Sequence, residues 1–250
     1  MTAERSSPQV ASDNPIFQRH LFAYEQAKPY IQGQVLEVGS GTGYGIAELA
    51  PFAETYAAVD KFHTPVSSEF TNVRFMQANI PPLPYPDSQF DTVVSFQVIE
   101  HIEDDRTFVS ECFRVLKPGG RLIVTTPNNL MSLTRNPWHV REYTAAQLTA
   151  LFQSYFGEVR MLGIAGNARA MAYFEKNRVF VEKITRFDVF NVQYKLPRRI
   201  LQIPYDVLNR LNRLALRRAD QGLTAEIAVS DFVLESATPT SFDLFCVAQK

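Results

Sequence analysis

Hydrophobic residues along this chain fall into short uninterrupted runs, separated by stretches in which they recur every three or four positions. Runs at residues 34–38, 55–60, 72–79, 90–96, 121–127, 158–164 and 241–248 predict seven strands. Between them, Phe17, Leu21, Tyr24 and Ala27 mark a helix over residues 16–31, and further helices are predicted after residue 44, over 104–116 and over 144–156. Strands alternating with helices give an α/β fold. The expectation is a Rossmann-like, seven-stranded, mostly parallel sheet with helices on both faces, because an uninterrupted apolar run such as 90–96 suits a strand covered on both sides. Residues 165–240 are too long for a hairpin turn and are expected as a mostly helical cap inserted between strands six and seven. The predicted organisation is a disordered polar tail over 1–15, a core of 16–164 and 241–250, and the cap at 165–240.

Composition narrows the class. At 250 residues the chain can bury about three quarters of its unfolded surface as one large domain. The formal net charge of -1 supplies no global field for gathering nucleic acid, and no nucleic-acid motif or internal repeat is present. Cys112 and Cys246 stand in apolar segments without metal-ligand spacing, so buried free thiols in a reducing compartment are expected. The first fifteen residues lack the apolar centre of a signal peptide, and no run approaches the length of a membrane span, which points to the cytoplasm.

The chemistry concentrates where the first strand breaks into alternating glycines, Glu37-Val38-Gly39-Ser40-Gly41-Thr42-Gly43-Tyr44-Gly45. Such a loop lets the backbone take positive φ and lets a ligand approach without Cβ interference, with helix N–H groups aimed at it. Asp60 ends the second strand, where a carboxylate can accept both hydroxyls of a ribose. A dinucleotide fingerprint needs glycines at its first, third and sixth positions, and counting from Gly39 or Gly41 the sixth is Tyr44 or Ile46. The stretch instead resembles the acidic-x-Gly-x-Gly-x-Gly motif of class I S-adenosylmethionine (SAM)-dependent methyltransferases. With Phe90-Asp91, Glu100-His101, Leu116-Lys117-Pro118-Gly119-Gly120 and Pro127-Asn128, residues 31–129 resemble the branch that includes the ubiquinone-pathway O-methyltransferases. The loop 136–143 is similar to that of bacterial methyltransferases of polysaccharide and glycolipid assembly. The resemblance implies SAM as cofactor, held by Glu37, Gly39, Gly41, Gly43, Asp60, Asn79 and Gln97. Asn79 stands where the family commonly has an Asp, and can still accept from an adenine amino group.

Methyl transfer to a sugar, glycolipid or other hydroxyl needs a base near neutrality, and His139 and His101 are the candidates. His139 is preferred because the loop 136–143 crowds polar, aromatic and charged residues beyond the fifth strand. Some relatives hold a divalent metal with Glu-x-x-Glu-His; Gln97 here replaces the first acid, so no metal is the primary expectation and Glu100, His101 and His139 the alternative ligand set. Two other classes share parts of this pattern: a nicotinamide-dependent oxidoreductase, and a SAM-binding partner subunit without catalysis. Residues 165–222 contain twelve Lys and Arg against five Asp and Glu, a balance of +7 that leaves -8 for the rest. That basic, amphipathic cap suggests a small-molecule or lipid-linked acceptor bearing negative charge, drawn in by Arg198 and Arg199, or a peripheral membrane contact.

Overall fold

The computed structural model describes residues 10–186, 188 and 192–250. Its core is an eight-stranded sheet: β1 Gln34–Val38, β2 Thr55–Asp60, β3 Val73–Gln77, β4 Phe90–Phe96, β5 Leu116–Pro127, β6 Glu158–Gly166, β7 Phe232–Ser236 and β8 Asp243–Gln249. The spatial order is β3-β2-β1-β4-β5-β8-β6-β7. β3, β2, β1, β4 and β5 pair in parallel, while β8 runs antiparallel to both β5 and β6. The chain leaves β1 toward β2 and β3, then returns to β4 on the other side. That reversal opens a crevice between β1 and β4 at the carboxyl edge, the usual place for a ligand in such sheets.

Alternation along each strand divides the interior into two cores. Val35, Val94 and Ile123 pack on one face with α1 Asn14–Ala27 and α2 Tyr44–Leu49; Leu36, Val93 and Leu122 pack on the other with α3 Asp105–Val115 and α4 Ala145–Gln153. α3 begins at Asp104, whose carboxylate accepts from the Thr107 N–H, and α4 begins with a reciprocal Thr144–Gln147 capping box. Both cysteines are buried and free.

The structure departs from the sequence expectation in three places. An eighth strand, β7, forms inside the stretch assigned to the helical cap and pairs antiparallel with β6. The cap's helices are therefore confined to α5 Ala168–Thr185, α6 Val192–Lys195, α7 Arg198–Ala219 and α8 Gln221–Glu226. Residues 10–15 are not a frayed tail: a 3-10 turn spans Ala11–Asp13, α1 starts at Asn14, and the buried Asp13 carboxylate pairs with Arg213 of α7 at 2.9 Å. Residues 1–9 of the expected tail lie outside the described residues. α3 stops at Val115, before the glycines, because Leu116 is already extended and pairs with Phe90.

Asn128, just past β5, fixes the loop that follows. It is buried, its Nδ2 donates to the Ser241 carbonyl at 2.8 Å, and its Oδ1 accepts from the Leu130 N–H. Asn128→Ala leaves that carbonyl and N–H without partners and is expected to lower unfolding stability by about 1–3 kcal/mol. Urea denaturation checks this; an unchanged midpoint and slope would contradict it.

Candidate functional site

The glycine loop follows β1 directly. Gly39, Gly41 and Gly43 have φ of +86°, +57° and +85°, a region that penalises a Cβ. Their N–H groups are not aimed outward as a helix-terminus cradle would require: Gly39 donates to the Val59 carbonyl, Gly41 to Asp60 Oδ2 and Gly43 to the Ser40 carbonyl. These bonds hold the loop's shape and leave its outer surface for a ligand. At Gly41 a Cβ would meet nothing within 4 Å, so the space beside the loop is open.

Asp60 is 7% exposed, and its Oδ1 accepts from the Phe62 N–H at 2.8 Å while Oδ2 takes Gly41 at 2.9 Å. A carboxylate at the end of a strand is the kind of acceptor to which ribose hydroxyls donate. Asn79 is exposed just beyond β3, next to Ala78, whose N–H donates to the Asp60 carbonyl. The residues present thus fit an adenosyl ligand, with open space over Gly41, a carboxylate for ribose and an amide at the adenine side.

Glu37 occupies a different place. Fully buried beneath the loop, it accepts the Tyr24 hydroxyl from α1 at 2.7 Å and the Tyr56 hydroxyl from β2 at 2.9 Å. Tyr24 reaches it across Gly45, where a Cβ would lie 2.2 Å from the ring. Burial pushes the Glu37 carboxyl up to about 7, although the two tyrosine bonds pull the other way.

At the end of β4 the backbone twists into positive φ at Gln97 (+57°), a conformation rare outside glycine and concentrated at functional sites. Gln97 Nε2 lies 3.3 Å from Thr125 Oγ1, and the nearby Asp243 is buried, its carboxyl pKa raised by that burial. Asp243 in turn has Arg19 Nε 2.9 Å from its Oδ2. The next residue, Val98, abuts the loop, with its Cγ2 2.4 Å from where a Gly39 Cβ would be. Gln97 itself lines a cavity of about 480 Å³ whose lining also includes Glu100, His101, His139 and Glu142.

The cavity's polar floor is tightly bonded. His139 Nδ1 lies 2.6 Å from Glu142 Oε1, and its Nε2 lies 2.8 Å from Asn136 Nδ2. Asn136 Oδ1 accepts from the Trp138 N–H, which fixes the amide orientation. His139 then carries its proton on Nδ1, donates to Glu142 and accepts at Nε2. Glu142 also receives the Ser132 hydroxyl. His101 Nδ1 faces the Trp138 carbonyl at 3.1 Å, so its proton also sits on Nδ1, and the two imidazoles are 5.0 Å apart, edge to face. Glu100 is buried and accepts from Thr126; burial raises its carboxyl pKa, against the pull of the two histidines.

Two groups thus assemble from the predicted residues. Asp60 and the glycines form one; Gln97, Glu100, His101 and His139 form the other; Glu37 underlies the first, and Asn79 stands at its rim. Arg198 and Arg199, expected at the acceptor's entrance, do not line the cavity: Arg198 pairs with Glu103 at 2.6 Å and Arg199 is exposed on α7. The cavity's own cations are engaged, Arg19 with Asp243, Arg213 with Asp13 and Arg135 with the Gln193 and Leu196 carbonyls. Sequence reasoning passed over Tyr24, Tyr56 and Asp243, whose roles depend on contacts distant in the chain. Glu142 had a readable signal in its spacing of three from His139.

Residues 36–124 match the methyltransferase domain family. A structure of a SAM-dependent methyltransferase from Thermotoga maritima superposes with a TM-score of 0.55 at 16% identity, covering 94% of this chain and 92% of that one. The chain folds as a class I methyltransferase. A Mycobacterium tuberculosis protein named probable S-adenosylmethionine-dependent methyltransferase is 41% identical over 174 residues, 66% of this chain and 64% of that protein. Its Mycolicibacterium smegmatis counterpart is 40% identical over 168 residues, 64% of this chain and 65% of that protein. The chain therefore spans slightly under two thirds of the length of these curated relatives.

Glu37 generates a pH signature. Its folded value of about 7 lies above the ordinary 4.5, so the folded state keeps a proton that the unfolded chain loses. Its contribution to stability falls as pH rises from about 4.5 to about 7 and is flat above, by on the order of 3 kcal/mol in all. Glu37→Gln, neutral throughout, is expected to lack this component in thermal melts across that range. An identical pH slope in variant and wild type would contradict the assignment.

Proposed function

We propose that this methyltransferase binds SAM at the carboxyl edge of β1 and β2 and methylates a hydroxyl oxygen of an amphiphilic small molecule, such as a sugar or glycolipid, held in the cavity. The observation that carries the reading is the His139–Glu142 pair in a cavity that Gln97 also lines, one residue before the Val98 that packs on Gly39 of the glycine loop. Asp60 would take the ribose, Asn79 the adenine edge, and the open side of Gly41 the approach of the cofactor's backbone-contacting part. When bound, SAM supplies an electrophilic methyl on a sulfonium with a good leaving group.

What remains for the chain is alignment, exclusion of water and removal of a proton. Alignment of reacting groups accounts for as much as about 7–11 kcal/mol in favourable intramolecular cases. The walls suit it, since Met131, Phe174, Val181, Leu201 and Leu208 line the cavity above the polar floor. Glu142 holds His139 with its Nδ1 proton inward, so the Nε2 lone pair is the basic site. Asn136 occupies that lone pair in the free protein, and an acceptor hydroxyl would displace its amide and give its proton to Nε2. Glu142 then stabilises the imidazolium.

Two experiments test this. In equilibrium titration, Gly41→Asn, whose residue type tolerates positive φ, is expected to keep the fold yet weaken SAM binding at least about tenfold, or about 1.4 kcal/mol, by filling the open space. Unchanged affinity, or preference for NAD over SAM, would contradict the cofactor assignment. In label transfer from methyl-labelled SAM to cell extract, His139→Ala is expected to lower turnover by ~10²–10⁴-fold with SAM binding intact. Equal turnover at every pH would exclude the base.

One observation favours a second reading of the same residues: ligand atoms of Glu100, His101 and His139 all lie within 4.8 Å of one another. One carboxylate and two imidazoles suit a first-row divalent ion. Calorimetric titration of the dialysed protein with Mn²⁺ distinguishes the readings, because stoichiometric binding abolished by His101→Ala supports a metal and the absence of binding supports the base alone.

A further inference from the structure

α7 has two faces with different tasks. At 100° per residue, Ile200, Ile203, Val207, Leu211 and Leu214 fall within an arc of about 80°. All five are exposed, from 44% at Leu214 to 76% at Ile203. Of the cavity-lining residues of the helix, Leu201, Tyr205 and Asn212 lie on its other side, while Pro204 and the exposed Leu208 stand between the two faces. Just upstream of the helix, Tyr194 and Leu196 are also exposed. A helix whose apolar side is already needed by the fold would not carry a second, solvent-facing stripe of this length by chance spacing.

Charge indicates what covers it. Arg199, Arg210 and Arg217 project along one border of the stripe, Arg218 closes its C-terminal end, and all four are exposed. The helix holds a single acid, Asp206, and that carboxylate accepts from the Trp138 indole on the site loop at 2.9 Å. Against a second copy of the same face, a two-fold contact would gather the arginines of both chains on one seam without an acid from either helix to offset them. Against an anionic lipid surface, the same arginines meet phosphates while the stripe enters the acyl boundary. Among the described residues no helix is long and apolar enough to cross a membrane, so a surface-lying geometry is the one this helix supports.

We propose that the outward face of α7 docks this protein on the surface of an anionic lipid bilayer, with the stripe immersed and the arginines at the headgroups. The cavity then opens beneath a helix that rests on lipid. This docking is independent of the reaction assigned above: SAM titration in solution reads the first, and vesicle binding reads the second.

The test is co-sedimentation of the full chain with vesicles of phosphatidylglycerol and phosphatidylcholine, against vesicles of phosphatidylcholine alone. Partitioning is expected to be at least about tenfold stronger on the anionic vesicles and to fall steeply as salt shortens the screening length. Ile203→Glu with Leu211→Glu is expected to reduce it by about tenfold or more on both vesicle types, and Arg199→Gln with Arg217→Gln on the anionic ones only. All four positions are solvent-facing, so circular dichroism and thermal melts should match wild type; the salt series requires no variant. Absence of binding to anionic vesicles, or binding indifferent to salt and to both double variants, would overturn the proposal. So would a dimer in sedimentation velocity that Ile203→Glu dissociates while vesicle binding is absent, which would assign the face to a second copy.

Discussion

The buried Glu37 carboxylate couples the pieces of this molecule that must stay in register. Its two hydroxyl donors come from different elements, Tyr24 of α1 and Tyr56 of β2, and both bonds pass beneath the glycine loop. Burying a carboxyl without partners costs several kcal/mol, so α1 and β2 are held where they can supply those donors. From β2 the consequence runs to Asp60, which fixes Gly41 and the turn at Phe62. From α1 it runs to Arg19 beside Asp243 and to the cavity lining at Pro15 and Ile16. Gly45, lacking a Cβ, leaves the space that Tyr24 occupies.

The division of labour across the carboxyl edge follows from that frame. One side is made mostly of backbone, three positive-φ glycines shaped by their own hydrogen bonds, and offers open space and a single carboxylate. The other is made of side chains from a loop and two helices added to the sheet. Gln97 stands between them in a backbone conformation that its neighbours must over-determine: its N–H bonds the Thr125 carbonyl and its side-chain amide donates to the Thr125 hydroxyl. Displacing it would change the path between the two sides.

What the sequence disclosed depends on range. β2 and β4 coincide with their apolar runs because a strand covered on both faces leaves a local signature, and Thr144 announced its helix through a capping box within four residues. The glycines and Asp60 were readable for the same reason. β7 was not, because its alternation of buried Phe232 with exposed Val233 and Glu235 is that of an edge strand and resembles a polar loop. Asp13 read as part of a tail because its partner, Arg213, is 200 positions away. The +7 balance of the cap was real as a count, but it suggested an acceptor funnel only while side-chain directions were unknown; Arg198, Arg213 and Lys176 are paired with acids, and Arg199 and Arg217 face outward.

Amide hydrogen exchange of the full chain, with and without saturating SAM, tests the central claim most directly, because it reports where the cofactor rests without relying on a substitution. New protection is predicted at the glycine loop after β1, at residues 60–62, and around Asn79 and Gln97, with the outward face of α7 unchanged. Protection absent from the glycine loop and Asp60, or confined to α5 and α7, would contradict the account.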